Sequence, residues 1–103
     1  MFNSKIIGLG KYLPDNVVTN ADLEKIMDTS DAWIQERTGI KERRHIAKGS
    51  DDSTSLMGVK ASKIAIERAG LTPQDIDLIL FATLSPDYYF PGSGVLVQEA
   101  LQI

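Results

Sequence analysis

The feature that most limits how this chain can fold is a short apolar run, Leu78-Ile79-Leu80-Phe81-Ala82. A membrane-spanning helix needs about 20 apolar residues, so a run of this length cannot cross a bilayer. Short runs rich in Leu, Ile and Phe are typical of strands that are buried on both faces of a sheet. We therefore predict a strand from Leu78 to Leu84, with sheet neighbours on both sides.

The rest of the sequence alternates between strand-like and helix-like segments. Apolar periodicity, caps and turn residues predict a strand at Lys5–Leu9, an extended segment at Ile40–Ile46 and a helical turn at Thr72–Asp75. They also predict four helices: Ala21–Met27 after an Asn20 cap, Thr29 or Ser30 to Arg37 before Gly39, Ser53 or Thr54 to Ala69, and Val95–Leu101. The third of these helices is expected to place Met57, Ala61, Ile64, Ala65 and Ala69 on one face. This order favours a layered α/β architecture with crossover connections. No repeat or linker interrupts residues 1–103, so we expect one segment of a single domain without an internal boundary.

The charge balance argues against two classes of partner. Lys and Arg number 11 against 14 Asp and Glu, which gives a net charge of −3. A mildly acidic chain has no general attraction for nucleic acid or for a membrane surface. The first ten residues are too interrupted by polar residues and glycine to form a signal-peptide core. We therefore expect a cytoplasmic protein with neither nucleic acid nor membrane as a partner.

The sequence contains no cysteine and a single histidine, His45. Disulfides, zinc–thiolate sites, iron–sulfur clusters and a cysteine nucleophile are therefore excluded within these residues. His45 stands beside Arg43 and Arg44 and is expected at the surface, and the adjacent Asp51 and Asp52 are expected in a loop. We assign no catalytic residue and no metal ligand to this chain.

The segment from Thr29 to Lys48 has an unusual composition. Five cations fall within twelve residues of an otherwise acidic chain: Arg37, Lys41, Arg43, Arg44 and Lys48. Trp33 and Arg37 are four residues apart, so they share a helix face. An indole beside a guanidinium can clamp a purine ring, and Thr29 and Thr38 could add hydroxyl contacts. The alternative is that Trp33 anchors the core and the cations form a solvated rim.

Three consecutive aromatic residues, Tyr88-Tyr89-Phe90, follow the predicted buried strand in a loop that continues to Gly94. Aromatic side chains in a loop mark an interface or a pocket wall when they do not fold back onto the core. Capping of the core is the alternative interpretation.

Three blocks of this sequence closely resemble the start of 3-oxoacyl-acyl-carrier-protein synthase III. They are Lys5-Ile6-Ile7-Gly8-x-Gly10-x-Tyr12-Leu13-Pro14, Thr19-Asn20-Ala21-Asp22-Leu23-Glu24 and Asp28-Thr29-Ser30-Asp31-x-Trp33-Ile34-x-x-Arg37-Thr38-Gly39-Ile40-x-Glu42-Arg43. The resemblance resumes at Ala61–Gly70, at Ala82-Thr83 and at Phe90-Pro91, and so covers nearly the whole chain.

The resemblance implies part of the N-terminal half of a thiolase-like α/β fold in a homodimeric enzyme. Members of that family condense an acyl-CoA primer with malonyl-acyl carrier protein to begin fatty-acid synthesis, with acyl-CoA as a substrate and no separate cofactor. Trp33 and Arg37 match the family's coenzyme A clamp, and Thr29 and Thr38 match residues beside the nucleotide. Phe90 matches an aromatic that reaches across the dimer toward the partner's acyl pocket.

The sequence also departs from the family pattern. The family's catalytic cysteine, histidine and asparagine have no counterpart here, and His45 does not match the catalytic histidine, so residues 1–103 alone are expected to be inactive. The bulky segment from Tyr88 to Val95 leaves the primer open. A synthase-III-like enzyme of another lipid or secondary-metabolite pathway is one alternative. A non-catalytic module that binds a nucleotide or a carrier protein is the other.

Overall fold

The computed structural model describes residues 3–103, which divide into two compact units. The hairpin unit comprises residues 13–51, and the helical unit comprises residues 3–12 together with 52–103. That the whole chain forms one domain segment without an internal boundary stays a prediction. No helix among residues 3–103 is long and apolar enough to cross a membrane.

The hairpin unit is built on two short antiparallel strands, β1 (Val17–Thr19) and β2 (Glu42–Arg44). Val17 lies opposite Arg44, and Thr19 lies opposite Glu42. The extended segment predicted at residues 40–46 is therefore confirmed in its central part. β1 was not predicted, because its three residues are too few to show a periodic pattern.

The first helix, α1 (Asn20–Glu24), begins one residue earlier than predicted and ends before Met27. The predicted Asn20 cap is wrong, since the helix is capped by Thr19. Thr19 Oγ1 accepts a hydrogen bond from the Asp22 amide at 3.2 Å, and Asp22 Oδ2 accepts one from the Thr19 amide at 3.0 Å. This reciprocal capping box releases the Asn20 side chain for contacts in the interior.

The second helix, α2 (Asp31–Thr38), begins one residue after the predicted Ser30 and ends one residue after the predicted Arg37. Ser30 is its N-cap, and the Ser30 hydroxyl accepts a hydrogen bond from the Trp33 amide at 3.2 Å. Gly39 ends the helix with φ of 70°, a left-handed conformation that glycine adopts without steric cost.

The helical unit is organised around α3 (Thr54–Arg68) and α4 (Ser93–Leu101), with a 3₁₀ turn at Pro73–Asp75. The Ser53 cap, the turn and α4 are confirmed, although α4 begins two residues before the predicted Val95. Its core contains Val59, Val97 and Leu101, against which four half-buried side chains pack: Ile66, Ile79, Phe81 and Ile103.

The predicted apolar face of α3 is wrong in part. The most buried residues of this helix are Ser55 and Val59, which the prediction omitted. The alanines at positions 61, 65 and 69 instead face an irregular segment that contains Gly8 and Gly10. A Cβ on Gly10 would collide with the Ala61 carbonyl oxygen, so small residues on both sides allow this close approach.

Neither of the predicted strands at Lys5–Leu9 and Leu78–Leu84 belongs to a sheet within residues 3–103, where the only strand pairing is the antiparallel one between β1 and β2. Crossover connections are therefore absent from this part of the chain. In the second segment Ile79 and Phe81 pack against the core, whereas Leu80 is 88% exposed. The prediction of burial on both faces is wrong here, because no described strand supplies the neighbours that it requires.

Candidate functional site

The most distinctive surface feature of the hairpin unit is an exposed aromatic–cation pair on α2. The Trp33 side chain is 55% exposed, and the guanidinium carbon of Arg37 lies 5.8 Å from the centre of its ring. Ile34, at 8% exposure, is the residue that α2 buries. The alternative in which Trp33 anchors the core is therefore wrong. An indole that keeps an open face can stack on a planar ring.

A depression of about 320 Å³ adjoins this pair and is lined by Asp28, Thr29, Ser30 and Trp33. It lies at the start of α2, because Ser30 is the cap and Trp33 follows one turn later. Two predicted site residues, Thr29 and Trp33, thus lie side by side around the same space.

The orientation of α2 depends on a buried asparagine from α1. Asn20 is 1% exposed, and its side-chain nitrogen donates to Asp31 Oδ1 at 2.7 Å and to the Ile40 carbonyl at 2.8 Å. Its side-chain oxygen accepts a hydrogen bond from Arg43 at 2.6 Å. One side chain therefore joins α1 to both ends of the α2 segment. Nothing in the sequence pattern indicates this role, because asparagine before a helical segment is also typical of a helix cap.

Asp31 adds a second set of contacts at the first turn of α2. Its carboxylate accepts hydrogen bonds from Asn20 and Gln35, and these hold its pKa below the ordinary value for aspartate. Its backbone amide donates to Glu24 Oε1 at 2.6 Å. The turn that presents Trp33 is thus fixed by α1 from one side and by its own helix from the other.

Thr38 occupies the other end of α2, and both hydrogen-bonding roles of its hydroxyl are used locally. The hydroxyl donates to the Ile34 carbonyl at 2.7 Å and accepts from the Ile40 amide at 3.1 Å. Thr38 therefore closes the helix at Gly39. A contact from Thr38 to a nucleotide stays a prediction.

The rim interpretation supposed that the cations between Arg37 and Lys48 are all solvated, but not all of them are. Arg43 is half-buried, and it donates to the Val18 carbonyl at 3.3 Å in addition to Asn20. Arg44 donates to the Pro14 carbonyl at 3.0 Å. These two arginines stabilise the hairpin, which leaves Arg37 and Lys41 as exposed cations on or just after α2.

The helical unit carries the second predicted site feature. We call Tyr88, Tyr89 and Phe90 the aromatic segment; Tyr88 is 62% exposed, Tyr89 98% and Phe90 90%. The alternative in which these rings cap the core is wrong. The segment borders a groove of about 560 Å³, whose other walls include Ile79, Phe81 and Val95.

A polar cluster that sequence reasoning missed also lies in the helical unit. Lys60 Nζ donates to Asp52 Oδ1 at 2.5 Å and to the Tyr12 hydroxyl at 3.1 Å, and it lies 4.2 Å from the centre of the Tyr12 ring. The Tyr12 hydroxyl donates to Asp52 Oδ2 at 2.7 Å. These contacts lower the pKa of Asp52 and raise that of Lys60. The cluster joins residue 12 to α3.

Metal-binding groups do not assemble in the part of the chain that the structure describes. No three or more His, Asp or Glu side chains of residues 3–103 gather closely enough to hold an ion. His45 is exposed, and its backbone amide donates to the Asn16 carbonyl at 3.0 Å.

Comparison with known proteins gives a consistent result. The chain is 59% identical to beta-ketoacyl-[acyl-carrier-protein] synthase III 1 of Bacillus anthracis over 99 residues, which is 96% of this chain and 31% of that protein. The crystal structure of 3-oxoacyl-[acyl-carrier-protein] synthase III from Aquifex aeolicus VF5 matches with a TM-score of 0.88 and 53% identity, over 97% of this chain and 32% of that one.

A third relative is named for a polyketide pathway. The priming beta-ketosynthase of the R1128 polyketide biosynthetic pathway matches with a TM-score of 0.86 and 34% identity, over 95% of this chain and 29% of that one. No protein-family model matches the chain. By sequence and by its α/β thiolase-like fold, the chain is similar over nearly its whole length to the beta-ketoacyl-[acyl-carrier-protein] synthase III proteins, and it spans 31% of the length of the Bacillus anthracis relative.

Proposed function

We propose that this chain is the coenzyme A-contacting and dimer-facing part of a cytoplasmic, homodimeric beta-ketoacyl-acyl-carrier-protein synthase III. That enzyme condenses an acyl-CoA primer with malonyl-acyl carrier protein to initiate fatty-acid synthesis. The observation that carries the proposal is the exposed Trp33 ring, with the Arg37 guanidinium 5.8 Å from its centre. Similarity to synthases named for this activity supports it.

The Trp33–Arg37 pair suits the nucleotide end of coenzyme A. Adenine is a planar aromatic ring, and stacking on an aromatic side chain contributes about 1–3 kcal/mol per base. Arg37 places a permanent positive charge beside that ring, where it can attract phosphate oxygens. The depression at Thr29 and Ser30 offers space for the sugar at the edge of the indole.

The aromatic segment suits the other end of the substrate. Phe90 is 90% exposed, although burying such a ring is strongly favourable. In the proposed dimer Phe90 of one subunit reaches the acyl pocket of the other and loses this exposure.

The condensation chemistry belongs to groups outside these residues. A thiolate is needed to hold the acyl group, and polar donors are needed to stabilise the carbanion and the oxyanion. The chain has no cysteine, so it cannot supply that thiolate. Residues 1–103 therefore bind and orient substrate, and alone they are inactive.

A second candidate function follows from the match to the R1128 priming ketosynthase. That protein is named for a polyketide pathway, and the match covers 95% of this chain. In this version the same Trp33 site holds coenzyme A, and only the primer and the destination of the product differ. Rates with acetyl-CoA and with longer acyl-CoA primers distinguish the two candidates.

The proposal can be tested by fluorescence, because Trp33 is the only tryptophan of the chain. Coenzyme A titrated into the 103-residue protein is expected to quench this emission saturably, with a Kd of about 1 mM from one stacked ring and one cation. Pantetheine, which lacks adenine, is expected to leave the emission unchanged. Arg37→Ala weakens the quenching, whereas Arg68→Ala, on α3, is the matched control.

Each outcome of the titration has a clear meaning. Equal quenching by pantetheine, or none by coenzyme A in a folded chain, contradicts the adenine clamp. Micromolar binding by the chain alone would instead favour the alternative of a self-sufficient nucleotide-binding module.

A further inference from the structure

The aromatic segment is held from its two flanks by one carboxylate. Asp87 Oδ2 accepts hydrogen bonds from the Ser55 amide at 2.9 Å and from the Ser93 hydroxyl at 2.7 Å. The Asp87 amide donates to the same Ser93 hydroxyl at 3.0 Å. Asp87 and Ser93 thus close the loop on itself and fasten it to the first turn of α3.

The three aromatic rings themselves are more than half exposed. The preceding anchored residue along the chain is Ser85, whose carbonyl accepts a hydrogen bond from the Thr54 hydroxyl at 2.7 Å. That bond lies two residues before Asp87. The bonds of Asp87 are therefore nearer to the start of the aromatic segment.

Asp87 is not the N-cap residue of either neighbouring helix, although its carboxylate accepts the Ser55 amide in the first turn of α3. The N-cap of α3 is Ser53, whose hydroxyl accepts from the Leu56 amide at 3.2 Å. The N-cap of α4 is Gly92, which has no side chain to cap with. Burial raises the pKa of Asp87, but hydrogen bonds from the Ser93 and Ser53 side chains and from the Ser55 amide outweigh this and lower it overall, so the group is ionised at neutral pH.

We propose that Asp87 is a positioning residue, which holds the aromatic segment in the orientation that determines which acyl chains the enzyme accepts. This inference rests on the proposed function, in which Phe90 borders an acyl pocket. In this role Asp87 acts on the aromatic segment and not on the substrate itself. It acts through Ser55 and Ser93, which fix the two flanks of the segment.

Chymotrypsin cleavage of the 103-residue chain tests the structural half of the proposal. The bonds after Tyr88 and Tyr89 are expected to be cut about tenfold faster in Asp87→Ala, because the hydrogen bonds to the carboxylate are lost. Asp87→Asn keeps an acceptor oxygen and is expected to restore most of the protection. Asp75→Ala, which removes a carboxylate that accepts from the Thr72 amide in the same unit, is the control and leaves these bonds unchanged.

Primer selectivity tests the functional half, in a full-length synthase that carries these residues. The ratio of kcat/KM for acetyl-CoA to that for a longer acyl-CoA is expected to change about tenfold in Asp87→Ala, to recover in Asp87→Asn and to stay constant in Asp75→Ala. A helix-stabilising role alone would lower both rates equally.

The inference is overturned if Asp87→Ala cleaves no faster than wild type, or if its selectivity ratio is unchanged while cleavage is faster. A wild-type synthase without condensing activity would overturn the proposed function instead. Cleavage rates then decide alone whether Asp87 orders the segment.

Discussion

The side-chain nitrogen of Asn20 lies 2.7 Å from Oδ1 of Asp31 and joins α1 to the first turn of the helix that carries Trp33. This residue pair is what converts a short, mostly polar helix into a fixed support. α2 buries only Ile34, so packing alone would hold it weakly. The placement of the proposed coenzyme A clamp is therefore a property of the hydrogen bonds beneath it.

Replacing Asn20 with alanine should destabilise the chain strongly. The change removes the donor to Asp31 and Ile40 and the acceptor of Arg43, and it leaves a cavity at a position that is 1% exposed. We expect a loss of about 2–3 kcal/mol in the free energy of unfolding, measured by urea denaturation. Asn16→Ala, at an exposed position, is the matched control and should change the free energy little. Equal effects of the two substitutions would contradict the role of Asn20.

Stability should depend on pH through the Asp52–Lys60 pair. The pKa of Asp52 is lowered below 3.8 in the folded chain, so its contribution is complete above that pH and is lost as the pH falls through the lowered value. The pKa of Lys60 is raised above 10.5, so its contribution is complete below that pH and is lost as the pH rises through the raised value.

Thermal melts across both pH ranges check this dependence. Lys60→Met is expected to flatten the alkaline limb and to weaken the acid limb, because Asp52 loses the partner that lowers its pKa most. Lys63→Met, at an exposed position three residues later on α3, should retain both limbs. Identical profiles for the two variants would show that the pair does not couple folding to pH.

The 103-residue chain should self-associate through the segment Leu78–Leu84. Leu78 is 73% exposed, Leu80 88% and Leu84 104%. Contiguous exposed apolar side chains drive association in water. Sedimentation velocity is expected to show species larger than the monomer, and Leu80→Lys should reduce them.

Ile26→Lys is the control for this experiment, because Ile26 is 75% exposed but lies in the hairpin unit. It should leave the association unchanged. A monomeric wild-type chain at high concentration would contradict the prediction.

The sequence predicted well those elements whose signals are local. Ser30 and Gly39 delimit α2, and Ser53 begins α3, because a cap hydroxyl or a left-handed glycine acts on residues only a few positions away. The exposed Trp33–Arg37 pair was found in the same way, from a spacing of four residues.

The failures concern contacts between residues far apart in sequence. Asn20 is a residue type that often caps helices, and only its hydrogen bonds to Asp31 and Ile40 show that its side chain is a buried support for α2. Asp87 is likewise an ordinary loop aspartate until its bond to Ser55, 32 residues away, is seen. The apolar run at Leu78–Leu84 indicates burial, but burial requires neighbouring strands that residues 3–103 do not contain.

The most direct test of the central claim is the steady-state kinetics of Trp33→Ala in a full-length synthase that carries these residues. We expect KM for acyl-CoA to rise about tenfold or more while kcat changes little, because the adenine stack binds substrate and transition state equally. Glu36→Ala, at an exposed position on the same helix, should leave KM unchanged. An unchanged KM in Trp33→Ala would contradict the proposal that Trp33 and Arg37 hold coenzyme A.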